Sequence, residues 1–204
     1  VENGEAIVSV KANEQTEIIN AGRVLVAVGM MGNVDGLGLE SIGVDINKGY
    51  INVDSNMSTN VSGVYAIGDV TGKMLLAHVA SAQGVYVVES IAGLTPSGID
   101  YDLMPRAIYC HPQVASFGLT ENQALEKGYD LKIGRFPLSA SGKAIAMGET
   151  EGMVKVVAEK EIGDILGVHM IGSEVTELLG EIGMARMLES TTEELGCLTH
   201  PHPT

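Results

Sequence analysis

Apolar and polar positions alternate over residues 5–10 and again over 16–20, with the polar stretch 11–15 between them. That pattern predicts a hairpin of half-exposed strands. It then changes. Val24-Leu25-Val26-Ala27-Val28 is apolar without a break and closes on Gly29, the pattern of a strand buried on both faces in a parallel sheet. Glycines at 32, 36, 38, 43 and 49 make the next stretch turn-rich, before a short strand at 50–53 and an apolar strand at 61–69 that ends in Gly68-Asp69. From Ala77 the period becomes helical. Ala77, Ala80, Gly84, Val85, Val88 and Ile91 share one face, predicted to be the packed one, and Gly93 is the expected stop.

Residues 94–104, with Pro96 and Gly98, read as a linker, and the texture differs beyond it. Strands are predicted at 106–110, 114–119, 130–138, 152–158 and 165–171, the last two joined by a polar turn into an antiparallel meander. Thr120 with Gln123 forms a capping box for a short helix ending at Gly128. A helix over 174–189 is expected to bury Val175, Leu178, Leu179, Ile182, Ala185 and Leu188, and Thr191 with Glu194 caps one more helical turn. The fold class is therefore mixed: the end of an α/β nucleotide-binding, Rossmann-like domain, then an α+β domain with an antiparallel sheet.

Composition narrows the function. The 204 residues carry 12 Lys and Arg against 26 Asp and Glu, a formal charge of −14, which argues against a nucleic-acid partner. No apolar run reaches the roughly 18 residues that a membrane span needs. The first residues have neither a basic region followed by an apolar one nor an initiator Met, so the chain is expected to be part of something longer and to lack a signal peptide. Cys110 and Cys197 have neither redox nor zinc spacing and are expected to be buried thiols in a reducing compartment.

Few residues invite chemistry. Asp69 ends a strand, where ligands of open α/β sheets sit and where a carboxylate can accept from ligand hydroxyls; Gly-Asp is also ordinary turn chemistry. The following helix starts near Leu76, Ala77 and His78, and its amino end carries partial positive charge. His78 itself reads as a capping or packing residue, and His111 and His169 as structural. The chain closes on His200-Pro201-His202-Pro203-Thr204. Pro203 restricts His202 to extended conformations and lowers the cost of a cis bond between them. An imidazole so restrained suits proton transfer. Metal ligation lacks a third ligand nearby, and no metal site is expected; a disordered tail is the remaining alternative.

Five stretches occur in order: 64–69, 76–78, 109–121, 147–152 and 200–204. Together they resemble the dihydrolipoamide dehydrogenases, flavin-dependent pyridine nucleotide–disulfide oxidoreductases, over nearly the whole chain. His-x-His-Pro-Thr favours that branch over the glutathione reductases. The resemblance implies FAD and NAD as cofactors. Gly68 and Asp69 would lie at the ribityl chain of FAD, backbone groups of Leu76, Ala77 and His78 at the flavin's pyrimidine edge, and Gly29 beside the nicotinamide nucleotide. His202 would be the acid–base residue acting on the dithiol of a partner subunit, and Pro203 after it would be one of the cofactor-binding residues. The implied partners are a second copy of the chain and the lipoyl domains of 2-oxoacid dehydrogenase or glycine cleavage complexes, in the cytoplasm or a mitochondrial matrix.

The resemblance also implies a division. Residues 1–30 would end the NAD-binding domain, 31–103 would form the returning part of the FAD domain, and 104–204 the dimerisation domain, alone in having enough contiguous chain for its own core. The family's Gly-x-Gly-x-x-Gly, its redox Cys-x4-Cys and a Glu five positions after His202 do not occur in the sequence. Gly29-Met30-Met31-Gly32-Asn33 stands where the family shows Gly-Arg-Arg-Pro-Asn, a change expected to weaken cofactor contacts or domain docking. The 204 residues by themselves are expected to lack lipoamide activity. The alternatives are a non-catalytic dimerisation module and a sister reductase of another disulfide or of mercuric ion.

Overall fold

A computed structural model describes residues 4–204 and divides the chain into two compact units, Val1–Ala80 and Ser81–Thr204. In the first, β1 (Ala6–Ala12) pairs antiparallel with β2 (Gln15–Ala21). Ala12 stands opposite Gln15, so Asn13 and Glu14 alone make the turn, and both take positive φ, 48° and 66°. This left-handed pair matches the right-handed twist of the two strands. The same device recurs at Lys48-Gly49 (φ 51° and 82°) between β3 (Ile46–Asn47) and β4 (Tyr50–Ile51).

Two sequence expectations fail in this unit. Residues 24–28 form no strand, and Leu25 and Val28 are 89% and 93% exposed. A strand buried on both faces takes its hydrogen bonds from neighbours on either side, and no described strand runs beside this one. The predicted strand at 61–69 is reduced to a single bridge between Ser58 and Tyr65, followed by a 3-10 turn over Gly68–Thr71. A turn closed by Val64 N–H donating to Val61 O uses up its first half. Against the expectation that residues 104–204 alone would form a core, this unit has one of its own, in which Val34, Val44, Ile51 and Ala66 are buried together.

Helix α1 (Ala77–Ile91) runs across the division between the units and has the predicted limits. Its end is a Schellman motif: Leu94 N–H donates to Glu89 O, Gly93 N–H to Ser90 O, and Gly93 takes φ 80°. Its buried face is a different one from that expected. Val79, Gln83 and Val87 are buried, whereas Val85, Val88 and Ile91 are each about 60% exposed. Spacing defines a stripe, and only the neighbours decide which stripe is covered.

The second unit is built on a five-stranded antiparallel sheet of order β5-β6-β9-β8-β7. Its strands are β5 (Arg106–Ile108), β6 (Gln113–Gly118), β7 (Leu131–Pro137), β8 (Met153–Glu159) and β9 (Ile165–Gly172). Helices α2 (Glu121–Glu126) and α3 (Gly142–Met147) lie between strands in sequence, and α4 (Leu179–Met187) and α5 (Thr192–Cys197) follow the last. The capping boxes at Thr120/Gln123 and Thr191/Glu194 both form. Phe117, Val168 and Met170 from the sheet bury against Val175, Leu179, Ile182 and Ala185.

The helix expected over 174–189 is shorter. Glu174 takes φ 57° and residues 174–178 are turns, so the regular helix starts at Leu179. Leu178 and Leu188 are 41% and 68% exposed rather than buried. Cys110 and Cys197 are likewise exposed, against the expectation of buried thiols. Each sits where regular structure stops, Cys110 beyond β5 and Cys197 at the last residue of α5.

Candidate functional site

In the first unit the chain turns at Gly68-Asp69 and enters α1. Gly68 is buried with φ 74°, and a Cβ there would lie 3.1 Å from Ala80 Cβ. Glycine therefore serves both the left-handed backbone and the close approach to α1. Thr71 Oγ1 donates to Gly68 O at 2.8 Å, and Gly72 N–H donates to Asp69 O at 3.0 Å, which closes the turn. Gly72 in turn lies under the Tyr50 ring, whose hydroxyl donates to Met30 O at 2.5 Å. The result is a fixed turn with the Asp69 side chain exposed.

Leu76 O accepts from Ala80 N–H, so Leu76 heads α1, and Ala77 and His78 occupy its exposed first turn. The turn and the helix start are thus brought together by the Gly68–Ala80 packing. The positive end of a helix beside a carboxylate-bearing turn can take a ligand with both electron-rich oxygens and hydroxyl donors. Gly29 takes φ 121° with open space around it.

In the second unit α5 ends at Cys197, and residues 199–204 follow with no regular structure. His202 and Pro203 are exposed and joined by a cis bond. His200 Nε2 donates to Glu181 Oε1 of α4 at 2.8 Å. The Glu181 carboxylate, first by that hydrogen bond and then by its charge, raises the His200 imidazole above the ordinary range, with the Leu198 backbone adding to it. Thr204 reaches a cavity of about 130 Å³ against Ser141 and Lys143 of the α3 start and Glu174 and Val175 after β9.

His169 Nε2 donates to Leu119 O at 2.9 Å and His111 Nε2 lies 3.5 Å from Glu149 Oε2, so both have structural partners. Sequence reasoning missed Glu181. It lies 19 residues from His200 on another helix, and no spacing rule links the two. It also missed α3, for which Ser141, capping Ala144 N–H, and Gly148 at φ 73° were the available signals. Among the described residues no group of three or more His, Cys, Asp or Glu side chains could hold a metal ion, and no helix is long and apolar enough to cross a membrane.

Two family models match. Residues 1–84 match "Pyridine nucleotide-disulphide oxidoreductase" and residues 104–204 match "Pyridine nucleotide-disulphide oxidoreductase, dimerisation domain". A dihydrolipoyl dehydrogenase of Corynebacterium glutamicum is 48% identical over 198 residues, covering 95% of this chain and 42% of the relative. One from Rhizobium etli is 51% identical over 187 residues, covering 91% of this chain and 39% of the relative. The chain thus spans about two-fifths of the curated relatives it matches. The crystal structure of LpdA from Mycobacterium tuberculosis superposes with a TM-score of 0.86 at 26% identity, over 93% of this chain and 41% of that one. The flavoprotein disulfide reductase RclA of Escherichia coli shares the fold, with a TM-score of 0.87 at 23% identity, over 97% of this chain and 46% of that one.

Proposed function

The chain belongs to the pyridine nucleotide-disulphide oxidoreductase family, and from that premise we propose that it is part of a dihydrolipoyl dehydrogenase that uses FAD and NAD+. The observation that carries this reading is 48% identity to such an enzyme over 95% of the chain. The first unit fits FAD on chemical grounds. The exposed Asp69 carboxylate suits ribityl hydroxyls, and the exposed first turn of α1, at Ala77 and His78, suits an electron-rich ring edge. When bound, FAD supplies two-electron transfer between a dithiol and the nicotinamide.

His202 is the proposed acid–base residue. Its ring is exposed, and Pro201 and Pro203 on either side limit how the backbone can move. The imidazole takes the proton from a dihydrolipoyl thiol as the thiolate forms, and returns it in the reverse direction. Gly29 is proposed to lie beside the nicotinamide nucleotide, and its open, positive-φ backbone is compatible with close approach. Residues 104–204, which match the dimerisation domain, support a homodimer in which His202 serves the partner subunit. The lipoyl domains of 2-oxoacid dehydrogenase or glycine cleavage complexes are the proposed macromolecular substrates, in a reducing compartment.

The full-length protein tests this. Its NAD+ reduction by dihydrolipoamide is measured together with its flavin absorbance. Turnover that drops about 10²- to 10⁴-fold in His202→Gln supports the assignment. Bound flavin without lipoamide turnover transfers the substrate to another disulfide. The 204 residues alone are expected to produce no NADH.

A further inference from the structure

We propose that Glu181 is a positioning residue for the closing His-Pro-His-Pro-Thr segment: its carboxylate holds the His200 imidazole and so fixes where His202 is presented. Among the described residues, the one hydrogen bond or ion pair from residues 199–204 to another element is His200 Nε2 to Glu181 Oε1, at 2.8 Å. Beyond it, Pro201 to Thr204 are exposed.

The anchor itself is rigid. Glu181 sits on α4 between Leu179 and Ile182, both buried in the sheet-and-helix core with Phe117 and Val168. A restraint at His200 is passed on with little loss. Pro201 and Pro203 fix their own φ, and each confines the histidine before it to extended backbone. Few free torsions separate the tethered ring from that of His202. The second histidine of the motif is thus the presented one and the first is the held one.

The hold is charge-dependent. Two groups act on the His200 ring, Glu181 from α4 and the Leu198 backbone from its own segment. Glu194 of α5 lines a groove together with Glu181, but its carboxylate accepts from Thr191. A raised imidazole pKa means that the ion-pair part of the hold is complete below the ordinary histidine range and is lost as pH rises through the raised value. Above it the neutral ring still donates Nε2–H to the carboxylate, and the tether weakens without vanishing. The consequence for catalysis rests on the acid–base reading of His202; the tether does not.

NMR of the 204-residue chain tests the tether. The wild-type His200 ring is expected to titrate above about 6.5, with the amides of Thr199, His200, His202 and Thr204 more mobile above its midpoint than below. In Glu181→Gln the midpoint falls into the ordinary range, and in Glu181→Ala those amides become mobile at every pH while β6 and β9 amides keep their shifts. An unchanged His200 midpoint in Glu181→Gln, or unchanged mobility of 199–204 in Glu181→Ala, overturns the proposal. Where Glu181→Ala disturbs the sheet signals, Glu181→Gln decides. In the full-length enzyme Glu181→Gln is expected to lower kcat/KM about tenfold and move its pH profile, with flavin content unchanged. A wild-type enzyme with no lipoamide turnover overturns the functional reading instead, and the tether is then judged by NMR.

Discussion

Lys155 Nζ of β8 stands 2.6 Å from Glu121 Oε2 at the start of α2, and Arg135 Nη2 of β7 reaches the same oxygen at 3.1 Å. Arg135 and Lys155 face each other across the β7–β8 ladder, so one carboxylate offsets a like-charge pair that would otherwise destabilise the strands. The hydrogen bond from Lys155, above all, holds the Glu121 carboxyl below its ordinary range.

A lowered carboxyl stabilises the folded chain above the ordinary carboxylate range, and that contribution is lost as pH falls through the lowered value. Glu121→Gln is expected to lower the thermal midpoint by a few degrees near neutral pH, where exposed ion pairs contribute modestly. Below about pH 4 the difference from wild type should shrink. Melting curves over this range check it, and a difference that grows on acidification contradicts it.

Thr191 caps α5, with its hydroxyl accepting from Glu193 N–H while the Glu194 carboxylate takes the Thr191 N–H at 2.8 Å. Thr191→Ala should cost about 1 kcal/mol in urea unfolding. It should also increase hydrogen exchange across Thr192–Cys197, the helix that leads into the His-Pro-His-Pro-Thr segment. Unaltered exchange there would show that the cap is not what holds the helix.

Gly118 and Gly167 face each other across β6 and β9. Gly118 has φ 71°, and a Cβ on it would press into Leu166 O with Gly167 Cα at 2.9 Å; a Cβ on Gly167 would meet Leu119 backbone. Neither obstacle is a movable side chain. Gly118→Ala and Gly167→Ala are each expected to cost about 3 kcal/mol, against near-neutral effects for Gly142→Ala, which meets open space. Chemical denaturation of the three variants separates these outcomes.

Asp69→Ala should reduce the flavin content of the full-length protein without changing the far-UV spectrum, because the turn is closed by backbone and Thr71 contacts rather than by the Asp69 side chain. Full flavin occupancy in this variant would leave Asp69 as a turn residue only.

What the sequence by itself determined were the features set by neighbours in the chain. The first hairpin, the Gly93 stop of α1, both capping boxes and the β8–β9 meander follow from side chains acting on backbone a few residues away. Gly68-Asp69 and His202-Pro203 were legible for the same reason, as short motifs. Tertiary structure decided everything that depended on what lies opposite. Residues 24–28 have strand composition yet no described partner strand, so they carry exposed apolar side chains. The same held for α1, whose buried stripe is Val79, Gln83 and Val87. Glu181 and His200, 19 residues apart, meet because α4 is buried in the core and the segment after α5 lies against it. Local energetics choose turns and caps; burial and long-range pairing choose faces and partners.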